Sequence, residues 1–415
     1  MGYSFRHKLM DYLLILTLMF STGGLLFVYN RNIATIFLLV LVLFILIFFG
    51  KKLLTRIFNA SLIAFLSISC LFIVNYLFAI SEQSVDKYAF YFLTLTISIF
   101  SVLHFTNNRD EKQFLDGLYI VLKIVMLQAL LSFFVFFIVK NSLVSISSIY
   151  HDCDTFNYIF FYTTERNILN VFGFELCRNQ GWFWEPGILQ VYLNILFFLE
   201  AFIYKRNRLL LIITGFVILT TYSTTGIAIL LVQVIIYIIK EIKRNILFIP
   251  IIIFLSVPVY LIFSYNIEEK MIGERESSFQ KRLLDLTQPL SIALEYPFTG
   301  VGMDVIQFQK IRTEFYSLSI IGEWQKQVGI EMNSLTTEKG SSNSIMFLFA
   351  ATGFPTTLLF IYMFFKQQFI TQRKRLFTFI IFISVLSEPI LLRPFFFMFI
   401  VSGFAYTFNK FTSNK

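Results

Sequence analysis

Runs of about twenty apolar residues recur along almost the whole chain, and they restrict its fold more than any other feature. In hydrocarbon the backbone must satisfy its own N–H and C=O groups, so each run is expected to be a helix. The runs lie at 9–28, 33–50, 57–80, 86–105, 117–139, 186–204, 208–222, 226–240, 246–265, 344–365, 376–387 and 390–408. The stretch 208–240 is interrupted at Ser223-Thr224-Thr225-Gly226, and 376–408 at Ser387-Glu388-Pro389, so ten to twelve spans are expected. Composition agrees. Of 415 residues, 57% are hydrophobic and 14% charged, where soluble domains carry about 25% charge. The first run follows Arg6-His7-Lys8 as a signal peptide would. It is longer than a signal h-region and lacks a small-x-small cleavage site, so it reads as a retained anchor.

The net charge of +9 does not point to nucleic acid, because the cations sit at span ends. With the N-terminus inside, the inner segments hold nineteen Lys and Arg, among them Lys51, Lys52 and Arg56, and Lys366, Arg373, Lys374 and Arg375. The four short outer loops hold only Arg31 and Lys87. This positive-inside bias predicts both termini in the cytoplasm and two long outer loops, 140–185 and 266–343. The whole chain, 1–415, is then one polytopic domain in a bacterial cytoplasmic membrane, with the lipid bilayer as its first partner. Cys153 and Cys177 share the first outer loop. An oxidising compartment would allow a bridge there, though spacing alone does not show that the two meet.

Several function classes are disfavoured. The chain has no P-loop pattern and no cytoplasmic segment beyond short connections, which argues against an ATP-driven pump. Asp152-Cys153-Asp154 resembles a metal-binding acidic pair, but the nucleotide sugars such pairs serve are cytoplasmic and this segment faces outward. No metal and no cofactor is expected. Lys123 is read as snorkelling to the inner interface, and Arg393 lies near the outer end of the last span. No span carries a central Asp or Glu, which argues against an ion-coupled carrier.

The stretch Arg178-Asn179-Gln180-Gly181-Trp182-Phe183-Trp184-Glu185-Pro186-Gly187 closes the first long outer loop and enters a span. An arginine near a helix start opened by Pro186 is a natural phosphate site. Trp182 and Trp184 suit an interface belt, and equally a sugar ring. An ordinary belt with a snorkelling arginine is the competing reading.

Arg178, Gly181 and Pro186 resemble the R-x-x-G-x-x-x-x-P signature of the O-antigen polymerase and ligase superfamily. Three further features follow in the family's order. They are the break at Ser223-Thr224-Thr225-Gly226, Arg282 followed by Tyr296-Pro297-Phe298-Thr299-Gly300-Val301-Gly302, and Ser342-Asn343-Ser344-Ile345 followed by Gly353. The resemblance covers about 175 to 365 and the topology. Ligases of this superfamily usually place a histidine where Ser342 stands, so the chain looks more like a Wzy-type polymerase.

The resemblance implies an all-α membrane fold like that of C-type glycosyltransferases, and metal-independent transfer of a growing glycan from undecaprenyl pyrophosphate. Product classes would be O-antigen, capsule or exopolysaccharide, with a flippase and a chain-length regulator as expected partners. The alternatives are an O-antigen ligase-type transferase and a lipid-linked oligosaccharide flippase. The latter is disfavoured by the two long outer loops. Expected roles are pyrophosphate stabilisation by Arg178 and Arg282, with Arg275, Arg312 and Arg393 as weaker candidates. Glu185, sheltered among tryptophans, is the expected base. Trp182, Trp184 and Asn343 are expected at the substrate. For the second-loop arginines, pairing with Glu274, Glu276, Asp285 or Glu295 is the competing reading.

Overall fold

The structure, a computed structural model, describes residues 5–24, 27, 30–51, 53–142, 144–147, 152–155, 162–163, 168–171, 174–242, 276–318, 323, 327 and 341–413. Among these, thirteen helices are named α1 to α13 in chain order: α1 Phe5–Phe20, α2 Arg31–Phe49, α3 Thr55–Phe78, α4 Val85–Asn108, α5 Glu111–Val139, α6 Pro186–Phe198 with a π-helical end Leu199–Tyr204, α7 Arg208–Thr220, α8 Thr224–Ile242, α9 Glu276–Glu295, α10 Val305–Leu318, α11 Ser344–Lys366, α12 Lys374–Ser387 and α13 Pro394–Ser413. Six of them, α2 to α6 and α11, are long and apolar enough to cross a membrane. Every expected run coincides with a helix except 246–265, which lies outside the described residues. Five short strands occupy the first long loop. They are β1 Val144–Ser147, β2 Asp152–Thr155 and β3 Tyr162–Thr163, antiparallel in that order, then the hairpin β4 Ile168–Val171 with β5 Phe174–Cys177. Among the described residues the membrane-spanning body is all helical.

Packing divides the chain into two units, Met1–Leu38 with Lys112–Glu268 and Ile370–Ser384, and Leu39–Glu111 with Glu269–Phe369 and Val385–Lys415. In the first unit α6 is buried along its entire length, so it forms the centre rather than a lipid-facing wall. Apolar burial alone would leave such a helix free to slide. Gln190, Asn194 and Gln233 prevent that. Asn194 Nδ2 donates to the Gln190 side chain at 3.0 Å and to the Gly226 carbonyl at 3.2 Å, and Gln233 donates to Asn194 at 2.9 Å. Glu200 is buried near the end of α6, yet its use is structural. It accepts from the Tyr119 hydroxyl at 2.6 Å and from the backbone N–H groups of Arg206 and Asn207, closing the turn into α7. Lys123 lies 4.6 Å from the Tyr119 ring, one turn toward the N-terminal end of α5, which is the direction helical side chains lean.

The break between α7 and α8 has a local cause. Thr220 and Thr221 turn their hydroxyls back onto the carbonyls of Val217 and Ile218, Tyr222 takes φ +53°, and the Ser223 hydroxyl accepts from Gly226 N–H. Hydroxyls that bond their own backbone compete with the helical ladder. The run is therefore two helices.

In the second unit α11 is kinked at Gly353, where φ is +75°. Pro355 lacks the N–H that the Ala351 carbonyl would otherwise receive. The loop 297–302 takes its place. Val301 N–H donates to Ala350 at 2.9 Å, Gly302 N–H to Ala351 at 2.9 Å, and Phe354 N–H returns to Pro297 at 2.8 Å. Asn75 of α3 adds bonds to Ala351 at 2.9 Å and Thr299 at 2.7 Å. A Cβ on Gly300, which has φ +64°, would lie 2.3 Å from the Ala350 oxygen. The P-x-x-G-x-G stretch and Gly353 are thus two halves of one splice, which seals a helix broken inside the apolar body.

The 79–84 turn, expected outside, bonds the second long loop through Ser81 and Gln83 to Val301. Ser344 bonds the Glu388 carbonyl just past the C-terminal end of α12. Expected inner segments meet one another through Lys51 with Asn108 and Arg56 with Asn409.

Candidate functional site

In the first unit, β5 delivers Arg178 onto the end of α7. Its Nε donates to the Thr221 carbonyl at 3.2 Å and its Nη2 to that of Tyr222 at 3.5 Å. The last carbonyls of a helix lack intrahelical partners and carry partial negative charge, so a guanidinium is stabilising there. Asn179, buried beside it, donates to the carbonyl of Ala129 at 2.9 Å and to the hydroxyl of Thr220 at 3.0 Å, and accepts from Gly181 N–H at 3.2 Å. Gly181 has φ +54°, which turns the chain back toward α6. Phe183 is buried and stacks on Tyr192 at 5.0 Å, while Trp184 N–H donates to Gly23. Trp182 is half-buried and meets the edge of Phe20 at 5.6 Å.

The stretch is therefore a folded turn, not a loose interface belt. One sequence expectation changes here. Glu185 is the N-cap residue of α6, and it is exposed, without a side-chain capping bond. Its exposure removes the shelter on which its assignment as base rested. Cys177 is buried, and its thiol donates to the Arg178 carbonyl at 3.4 Å; the side chain of Cys153, its candidate bridge partner, lies outside the described residues. The side chains of Asp152 and Asp154 lie outside the described residues.

In the second unit α9 sorts its residues by face. Leu284, Asp285, Gln288, Ile292 and Ala293 are buried, whereas Arg282, Leu286, Leu290 and Leu294 are exposed at four-residue spacing. That spacing sets Arg282 one turn before an apolar stripe, Leu286 to Leu294, about 12 Å long at 1.5 Å per residue. Arg275, the neighbouring candidate, lies outside the described residues.

Arg312 of α10 is 1% exposed, and its Nη1 lies 2.9 Å from Asp285 Oδ1, itself on a side chain 1% exposed. Its Nε donates to Gln288. Burial pushes the guanidinium down from its ordinary range, and the Asp285 carboxylate opposes that shift. The ion-pair reading holds for this arginine through Nη1 and Nε, while its Nη2 is buried without a hydrogen-bond partner. The other Asp285 oxygen, Oδ2, accepts from Ser342 N–H at 2.9 Å and from the Ser342 hydroxyl.

Asn343 is the N-cap of α11. Its side chain accepts from Ile345 N–H at 3.1 Å and Met346 N–H at 3.0 Å, so the structure gives it a capping role. Arg393, at the start of α13, is half-buried with its guanidinium 6.0 Å from the Phe90 ring. Among the described residues no cluster of His, Cys, Asp and Glu could hold a metal ion. Sequence reasoning listed Asp285 only as one of four partners for the loop arginines, and it gave Gln288 no role. The face separation within α9 carried the signal, since both fall on the side away from Leu286, Leu290 and Leu294.

The helices and their burial define an integral membrane protein of the all-α class, with cations and a buried ion pair gathered in its long loops. Residues 209–361 match the Wzy_C family, described as O-Antigen ligase. This supports the O-antigen polymerase and ligase superfamily, and with it a glycosyltransferase-like membrane enzyme. The matched stretch contains the 223–226 break, Arg282, the 296–302 splice, Asn343 and Gly353, and begins after the Arg178 turn. No curated protein matches the chain.

Proposed function

We propose that the protein polymerises undecaprenyl-pyrophosphate-linked oligosaccharide repeat units on the outer face of the cytoplasmic membrane. The observation that carries this reading is Arg282 at the head of the exposed Leu286, Leu290 and Leu294 stripe. A lipid pyrophosphate offers the complementary pair, an anionic head and a long apolar tail. Transfer from a glycosyl pyrophosphate needs no nucleotide, because the departing pyrophosphate supplies the driving force. Negative charge develops on that leaving group, and a preorganised guanidinium stabilises it. Arg178 and Arg393 are assigned to substrate phosphate in the same way, whereas Arg312 is not, because it is 1% exposed and paired with Asp285.

Purified protein given lipid-linked repeat units should build a ladder of chain lengths without added nucleotide or metal. A product of one fixed length on a different acceptor would replace the polymerase reading with the ligase one. The ligase reading is favoured by the family description alone. Ser342 tells against it, since a hydroxyl bonded to Asp285 stands where ligases usually carry histidine.

Orientation is tested independently. In a cysteine-free background, Thr313→Cys on exposed α10 should react with an impermeant maleimide in intact spheroplasts. Arg208→Cys, at an expected inner turn, should react only after lysis. The reverse pattern would place both long loops in the cytoplasm and end the proposal.

A further inference from the structure

Asp285 divides its two oxygens between unlike partners. Oδ1 faces Arg312, and Oδ2 holds both the N–H and the hydroxyl of Ser342. The carboxylate is buried, yet Ser342 is only half-buried, on the turn that leads into α11. A serine hydroxyl carries one proton and two lone pairs. Here the proton is committed inward to Asp285, which leaves the lone pairs to accept a hydrogen bond. Because Asp285 grips the backbone N–H as well, the side chain cannot swing to another donor without breaking that bond. The exposed Glu185 has no comparable arrangement.

We propose that Ser342 and Asp285 form a proton relay that activates the acceptor sugar hydroxyl. The relay rests on the glycosyl-transfer reading above. The acceptor oxygen bonds to the anomeric carbon of the donor glycan. The carbon–oxygen bond to pyrophosphate breaks, and its electron pair leaves with the lipid pyrophosphate. The acceptor proton passes to Ser342 Oγ as the Ser342 proton passes to Asp285 Oδ2. Asp285 then returns its proton through Ser342 to water before the next turnover. Ser342 is the catalytic residue, since it touches the acceptor. Arg312 and Gln288 are positioning residues, fixing the carboxylate through Oδ1 and through the guanidinium.

The test uses full-length protein in nanodiscs with undecaprenyl-pyrophosphate-linked repeat units, and turnover is normalised to inserted protein. Proton transfer by a positioned group contributes about 10²–10⁴-fold. Ser342→Ala should therefore lower kcat at least about 10²-fold, with KM for the lipid-linked substrate nearly unchanged. Ser342→Thr keeps a hydroxyl and should recover most of the rate. Wild-type kcat in Ser342→Ala, or Ser342→Thr as slow as Ser342→Ala, would overturn the relay while leaving the polymerase intact. A wild-type protein that builds no ladder would remove the polymerase reading and the relay together.

Discussion

Arg312→Met should leave little folded protein in the membrane. The substitution preserves length and apolar packing but strands Asp285, whose side chain is 1% exposed. Removing one member of a buried ion pair costs about 3–5 kcal/mol, because the remaining charge keeps its desolvation penalty and loses its compensation. That is a large part of the roughly 5–15 kcal/mol by which a typical domain is stable. Quantitative immunoblotting of membranes and thermal unfolding in detergent would measure it. The double variant Asp285→Leu/Arg312→Met removes both charges and should recover most of the abundance, since well-packed apolar replacements of buried pairs are often neutral or better. It should not recover polymer, because Ser342 then has no carboxylate to receive its proton. An Arg312→Met protein as abundant and as heat-resistant as wild type would show that the pair contributes little.

Arg282→Lys should abolish most polymer while the protein inserts at normal abundance. Arg282 is exposed on α9, so the change has no core to disturb. Lysine keeps the charge but replaces a planar fork of donors with a compact, strongly hydrated ammonium. If the guanidinium binds pyrophosphate in a bidentate manner, one contact that strengthens in the transition state is lost. By analogy with an oxyanion-hole donor, that costs about 2.7–4 kcal/mol, or about 10²–10³ in rate. Ladder synthesis by equal amounts of inserted protein is the measurement, and full activity would return Arg282 to an ordinary solvated cation. Arg178→Lys is a less clean experiment. Arg178 already bonds the carbonyls of Thr221 and Tyr222, so a loss there mixes substrate binding with the anchoring of the turn.

Ser342, Asp285 and Arg312 mark the boundary between what was legible in the chain and what was not. Span positions were legible, because a helix in hydrocarbon must be long, apolar and continuous, and each of these leaves a local trace. So was the order of motifs from Arg178 to Gly353, because glycines and prolines mark turns and kinks wherever they fall. The sequence by itself determined the class and the helices. The tertiary structure decided which polar side chains are occupied. Asp285 and Arg312 are separated by 27 positions and Asp285 and Ser342 by 57, and no periodicity connects residues so far apart. Their pairing depends on how α9 rotates its leucines outward. Within its own unit each of two further residues is decided by packing, which exposes Glu185 and turns Asn343 into a cap, because burial is a property of surfaces that meet only once the helices have packed.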